Sequence, residues 1–235
     1  MNHPHNNIPA RTAPKPQAHS RRSDWWLVFK KFLTQGTSIA SFAPSSRFLA
    51  TRLVKGIDFR KARCIVELGA GTGPITTELV RRARPDTRLI AIELDPDFCR
   101  RLREKFPQVD IVEGDAARLN AILAERGIEH ADHVISGLPL PSFSPRLRDS
   151  IVQASATALT PEGTFRQITN MPWVYYTLYK SYFNDVRFRF VPINFPPGGV
   201  YVCRGYFRNG FLNGKAHANG NGKVLGNGKL HVSTS

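Results

Sequence analysis

The 235-residue chain reads as an α/β protein, a Rossmann-like sheet of seven strands with helices on both faces and an amphipathic helix ahead of it. Three observations predict this fold. Short β-branched runs alternate with helical patterns from Arg63 to about Asn170, as in a parallel sheet covered on both sides. The first of those runs ends in three glycines at alternate positions, where the backbone must turn sharply or come close to a ligand. Two last β-rich runs are joined by a Pro/Gly segment with no helix between them, so they close the sheet as an antiparallel pair.

The elements follow in chain order. Residues 1–22 are rich in Pro, Asn, His and basic groups and predict a disordered basic tail. Residues 23–62 predict amphipathic, membrane-binding or lid helices. Ser23 or Asp24 is placed to cap the first of them. At 100° per residue Trp25, Trp26, Val28, Phe29, Phe32 and Leu33 share one face, Lys30 and Lys31 lie on the other, and Leu27 is the exception. Tryptophans beside paired lysines describe a helix lying in a membrane interface, although an aromatic stripe also suits a lid packed on the core. Arg21 and Arg22 just upstream add attraction to anionic lipid.

Residues 63–207 predict the folded domain. Its first strand, Ile65-Val66-Glu67-Leu68, runs into Gly69-Ala70-Gly71-Thr72-Gly73 and a helix opened by Pro74, the residue suited to a first helical position. The second strand, Leu89–Ile92, ends in Glu93, twenty residues beyond Gly73. That is the spacing at which an acidic residue takes ribose hydroxyls. Val109–Val112 leads to Glu113-Gly114-Asp115-Ala116, and Ala131–Ile135 leads to Ser136-Gly137-Leu138-Pro139. Ligands on such sheets lie at the carboxyl ends of the strands, so Glu67, Glu93, Asp115 and Ser136 should converge on one crevice. A fifth strand is expected over Gly163–Ile168, a helix over Trp173–Tyr179, and the closing pair over Val186–Ile193 and Val200–Phe207. Residues 208–235, with repeated Asn-Gly and Asn-Gly-Lys, predict a low-complexity flexible tail.

The glycine order is G-x-G-x-G with Glu67 two residues ahead of it. A pyrophosphate favours a helix N-terminus without a nearby anion; a carboxylate there suits a ligand carrying positive charge. S-adenosylmethionine has no phosphate and carries a sulfonium and an ammonium, which makes it the expected cofactor.

Upstream Ala43-Pro44-Ser45-Ser46-Arg47, the Glu-Leu-Gly-Ala-Gly-Thr-Gly loop, Glu113-Gly114-Asp115-Ala116, Ser136-Gly137-Leu138-Pro139-Leu140 and the late Asn-Phe-Pro-Pro segment together resemble the bacterial phospholipid N-methyltransferases. These are class I S-adenosylmethionine-dependent enzymes, and the likeness runs from about Gly36 to Phe207. Ala70 departs from it, since that family often has proline there. The resemblance implies that Gly69, Ala70, Gly71 and Gly73 approach the methionine part of the cofactor, with Glu67 at its charged end. Glu93 would take the ribose, and Asp115 with Ala116 the adenine. Ser136, Gly137 and Leu138 stand where many amino-methyltransferases carry Asn/Asp-Pro-Pro-Tyr. They would be the catalytic element, the Ser136 hydroxyl and the carbonyls of Gly137 and Leu138 holding the target nitrogen without an amide or a stacking tyrosine. A flat base is gripped by stacking, so this loop favours an aliphatic amine. Ser45, Tyr175 and Tyr179 are candidate substrate contacts, the tyrosines as part of a cation–π cage with Trp173 or Tyr176. Trp25, Trp26, Phe29, Lys30 and Lys31 are the candidate membrane contacts.

Charge separates the function classes. Of the net +15, residues 1–62 carry eleven basic and two acidic groups, while 63–207 carry eighteen and sixteen. Nucleic-acid enzymes carry a positive stripe on the folded domain; a near-neutral body with basic flanks instead suits tethering to an anionic membrane surface that holds an amine-bearing lipid. No apolar stretch reaches the ~18 residues of a membrane span, and no export signal is visible. The three cysteines fit a reducing compartment better than a disulfide framework. The histidines make no metal-ligand spacing. The expectation is therefore a protein of the cytoplasm, peripheral to the inner face of its membrane, that methylates phosphatidylethanolamine stepwise toward phosphatidylcholine. The alternatives are methylation of ornithine lipid, rRNA adenine N6-dimethylation, and a non-catalytic cofactor-binding protein.

Overall fold

The computed structural model describes residues 43–169, 175–191 and 198–206. In chain order the elements are α1 (Ala43–Val54), β1 (Cys64–Leu68), α2 (Pro74–Arg82), β2 (Arg88–Glu93), α3 (Pro96–Lys105), β3 (Asp110–Glu113), a 3-10 turn (Ala116–Arg118), α4 (Leu119–Ala124) and β4 (Ala131–Ser136). A second 3-10 turn (Leu140–Ser142), α5 (Pro145–Thr157), β5 (Leu159–Thr169), α6 (Tyr176–Lys180), β6 (Phe183–Val191) and β7 (Gly198–Tyr206) complete it. The seven strands form one sheet in the order β3-β2-β1-β4-β5-β7-β6. The first five are parallel to their neighbours, and β7 enters antiparallel between β5 and β6.

Alternate residues of a strand face opposite sides, and the apolar sets divide accordingly. Val66, Leu68, Ile90, Ile92 and Val134 pack with Leu119, Ile122, Ile151, Val152 and Tyr179, from α4, α5 and α6. Ile65, Leu89, Ala91 and Ile135 pack with Leu53, Val54, Ile75, Leu79, Cys99 and Leu102, from α1, α2 and α3. Every residue of β1 is buried, as its central place between two covered faces requires.

The carboxyl ends are shaped by local chemistry. Gly73 caps α2 from the left-handed region at φ 84°, and a Cβ there would stand 2.7 Å from the ring of Phe106. Asp95 caps α3 by accepting from the amides of Asp97 and Phe98 at 2.7 and 3.1 Å, and Asp115 caps its turn by accepting from Ala117 N at 2.9 Å. These are ordinary side-chain caps on orphan helical N–H groups.

Differences from the sequence-based elements have identifiable causes. α1, within the segment 23–62, is not separate from the sheet: Leu53 and Val54 are wholly buried. The buried Arg166 of β5 donates to the carbonyls of Leu53 and Lys55, both at 2.9 Å, and to Thr164 Oγ1 at 3.1 Å. Its cation therefore sits on the carboxyl end of α1, the favourable pole of a helix. β5 begins at Leu159, four residues before Gly163. Thr160-Pro161-Glu162-Gly163 reads as a turn, yet the strand passes through it with a shift in register against Ala131 and His133. β6 begins at Phe183, and its solvent-facing polar residues hide that start. The helix read over Trp25–Leu33, and with it Trp25, Trp26, Phe29, Lys30 and Lys31, lies outside the described residues, as does Trp173.

Candidate functional site

β1, β2, β3 and β4 all end on the same edge of the sheet. The crevice there is lined by Gly69, Ile92, Glu93, Leu94, Gly114, Asp115, Ala116, Leu138, Phe143 and Ile151, the place where ligands of open α/β sheets bind. Gly69, Glu93, Asp115, Ala116 and Leu138 were legible in the sequence and are brought together here. Leu94, Gly114, Phe143 and Ile151 were not, because each belongs by sequence to an unremarkable turn or apolar helix face.

Glu93 holds the crevice's back wall. Its Oε1 accepts from Leu94 N and Asp95 N at 2.8 and 3.0 Å, and its Oε2 from Gly71 N at 2.8 Å. The carboxylate thus ties the glycine loop after β1 to the end of β2. Burial raises its pKa, and the three backbone donors pull the other way. Gly69 has φ 73°, and a Cβ on it would run into the side chain of Leu138. The β1 and β4 loops are in contact through this glycine.

Glu67 is wholly buried at the end of β1. Thr76, in the first turn of α2, donates to its Oε2 at 2.7 Å, while Oε1 has no partner among the described residues. Burial foremost, with a contribution from the Glu93 charge and against the Thr76 hydrogen bond, pushes its pKa up to about 7. A buried polar oxygen left unpaired costs about 1–3 kcal/mol. Two buried carboxylates, one with an open oxygen, beside a backbone that no Cβ obstructs, fit a cationic ligand with N–H groups and hydroxyls. S-adenosylmethionine is such a ligand. Ala70 belongs to the apolar cluster on the α1–α3 face of the sheet and is not among the residues lining the crevice, so its backbone is what remains for a ligand. Gly71 contributes its N–H to Glu93, and Gly73 turns the chain into α2.

The β4 loop narrows what its three residues have to offer. Ser136 is wholly buried, and its hydroxyl accepts from Leu138 N at 3.3 Å, a turn-stabilising bond. Leu138 O accepts from Leu140 N at 2.8 Å and from the Gln167 amide, also at 2.8 Å. A carbonyl has two lone pairs, so that oxygen is already saturated and is not available to an amine. Gly137 donates its N–H to Leu68 O, which joins the loops of β1 and β4.

The tyrosines divide. Tyr179 is a core residue, its ring 4.8 Å from that of Tyr201 and 5.8 Å from that of Phe165, so it does not face a substrate. Tyr175 is buried, and the Arg148 guanidinium stands 5.6 Å from its ring centre, in the place a substrate ammonium would take. Ser45 falls in α1, but its side chain lies outside the described part. Among the described residues no group of three His, Cys, Asp or Glu side chains is placed to hold a metal, and no helix is long and apolar enough to cross a membrane.

Comparison with known proteins gives these features a context. Residues 65–163 match the methyltransferase domain family. An ornithine lipid N-methyltransferase from Singulisphaera acidiphila is 51% identical over 185 residues, 77% of this chain and 96% of that protein. A ribosomal RNA small subunit methyltransferase A from Leptothrix cholodnii is 30% identical over 105 residues, 45% of this chain and 38% of that protein. Among solved structures, N-methyltransferase NodS from Bradyrhizobium japonicum, in complex with S-adenosylhomocysteine, superposes with a TM-score of 0.59 at 11% identity, covering 77% of this chain and 97% of that one.

Proposed function

The chain belongs to the class I S-adenosylmethionine-dependent methyltransferases and is an N-methyltransferase; from that premise we propose that its acceptor is the head-group amine of ornithine lipid. The observation that carries the reading is the likeness to the ornithine lipid enzyme, which runs across 96% of that relative's length. The ribosomal RNA enzyme is matched over 38% of its own length. The β4 loop also lacks an aromatic residue between Ser136 and Ser142, which supports an aliphatic amine over a flat base. Phosphatidylethanolamine, the first reading of the sequence, gives way to its ornithine alternative on this evidence.

When bound, the cofactor supplies a methyl group made electrophilic by a sulfonium. In our proposal the chain's residues hold and orient it. Glu93 exchanges the Gly71 N–H for ribose hydroxyls, and Asp115, with Ala116 beside it, meets the adenine. The open Oε1 of Glu67 faces the positive end, and Gly69, Gly71 and Gly73 let the backbone close in. Phe143 and Ile151 exclude water, which strengthens each of these polar contacts. The amine must arrive neutral, since a protonated nitrogen has no lone pair to offer. Much of the acceleration then comes from alignment.

Residues 23–42 supply the proposed membrane contact, on the sequence pattern of Trp25, Trp26, Phe29, Lys30 and Lys31. Phe29→Glu is expected to lower co-sedimentation with anionic vesicles at least about tenfold; unchanged binding would contradict it. The acceptor is tested by incubating the protein and labelled S-adenosylmethionine with vesicles of ornithine lipid, phosphatidylethanolamine and an anionic lipid, with ribosomal RNA in parallel. Label in the ornithine lipid band is expected. Label confined to phosphatidylethanolamine or to RNA would overturn the proposal.

A further inference from the structure

Gln167 is a strongly polar side chain near the end of β5 that the sequence gave no reason to notice. It is 1% exposed and is the register partner of Ser136 on β4. Its Nε2 donates to Leu138 O at 2.8 Å and to Ile168 O at 2.7 Å. Two carbonyl acceptors fix which end of the amide is nitrogen. The other end, Oε1, is buried and has no partner among the described residues. An acceptor left in that state costs about 1–3 kcal/mol, which a ligand bringing an N–H would recover.

The neighbouring loop offers no amide oxygen of this kind. Leu138 O is saturated, the Ser136 hydroxyl serves its own turn, and the loop has no amide side chain. Gln167 carries an amide that is bonded to Leu138, a residue of the crevice wall. We infer that Gln167 Oε1 accepts a hydrogen bond from the methyl-accepting amine and aims its lone pair, so the amide that holds the substrate nitrogen comes from β5 and not from the loop after β4.

The chemistry favours this acceptor at the right moment. As the new N–C bond forms and the S–C bond of the methyl donor breaks, positive charge builds on nitrogen and its N–H becomes a stronger donor. The bond to Oε1 therefore tightens in the transition state, the condition for raising the rate and not merely affinity. The ammonium proton then leaves to water. A primary amine has two N–H groups, a monomethylated amine one and a neutral dimethylated amine none. The third transfer accordingly has no use for Gln167.

That prediction separates substrate holding from mere support of the loop. The inference rests on the lipid-amine reading for its choice of substrate. The test uses the full chain with vesicles of ornithine lipid and of its mono- and dimethylated forms, and follows single turnovers of labelled cofactor. Gln167→Met should slow the first and second transfers by about a hundredfold, leave the third within about threefold, and leave cofactor affinity unchanged, which also reports that the variant folds. Gln167→Glu should recover much of the loss: burial keeps the carboxyl protonated, so one oxygen donates to Leu138 O and the other accepts from the amine. Equal slowing of all three transfers, or no slowing, would overturn the inference while the function stands. A wild-type protein that labels none of the three lipids would overturn the function and the inference with it.

Discussion

Along the parallel strands β1 to β4 the functional groups stand at strand ends, whereas in the antiparallel arm of β5, β7 and β6 they stand within the strands. Glu67, Glu93 and Asp115 each lie within two residues of a strand's end and lead into a glycine turn or a capped helix or turn, so a ligand there meets backbone as much as side chain. Gln167 lies inside β5 with Arg166 and Ile168 on either side, and the rings of Phe165 and Tyr201 each pack at a tilt against that of Tyr179. A site gripped by backbone needs glycine and leaves a spacing that can be read. One gripped by a single side chain within a strand leaves none. In our proposal the parallel strands serve the cofactor, and the arm the amine.

The hardest blow to that division falls on Glu93. Glu93→Ala removes the carboxylate and leaves the N–H groups of Gly71, Leu94 and Asp95 without their acceptor. Cofactor affinity measured by calorimetry should fall by at least about a hundredfold, roughly 3 kcal/mol for a charged acceptor with several donors. Wild-type affinity would remove Glu93 from the cofactor's contacts.

Arg166 tests the arm as scaffold. Arg166→Ala opens a cavity and leaves the carbonyls of Leu53 and Lys55 unpaired at the end of α1. A loss of about 2 kcal/mol is expected in urea unfolding, somewhat offset by release of a buried cation. Cofactor affinity in the folded variant should not change. An affinity loss as large as that at Glu93 would merge the two regions into one unit.

Glu67 gives a pH signature. With a pKa of about 7 in the free protein, it is half protonated near neutrality, and a cationic ligand requires the carboxylate. Cofactor affinity should rise about tenfold from pH 6 to pH 8 with release of a proton, and Glu67→Gln should abolish the dependence. Stability has the opposite slope. The folded state holds this proton more tightly than the unfolded chain, so the free protein loses stability as pH rises from about 4.5 toward about 7, and the Gln variant loses that slope.

The smallest effect is expected at Tyr179. Its hydroxyl is in the core, so Tyr179→Phe should leave turnover within about twofold. A loss confined to KM for lipid would restore the tyrosine to the substrate site.

These contrasts show what could be read before the fold was known. The Gly69-Ala70-Gly71-Thr72-Gly73 loop and the spacing to Glu93 pointed to two residues of the crevice, Gly69 and Glu93, because positive φ and close backbone approach restrict the residue type. The antiparallel closure was visible in its Pro/Gly junction, though its limits were not: Thr160–Gly163 carries turn residues inside a strand. The carbonyl of Leu138 was read as open to a substrate, since hydrogen bonds already made within a loop cannot be seen in a motif. Tyr179 was mistaken for a ligand contact because an aromatic stripe looks alike whether it faces a cation or the core. Gln167 had no sequence signature, its significance arising only from its register with Ser136 and the bond to Leu138.

The division of labour is tested most directly by cofactor affinity and single-turnover methyl transfer, measured together for Glu93→Ala and Gln167→Met. The account predicts that Glu93→Ala loses cofactor binding, while Gln167→Met binds cofactor as the wild type does and loses transfer to the primary amine. If Gln167→Met loses cofactor affinity in step with turnover, the arm does not serve the amine and the division between the two regions is wrong.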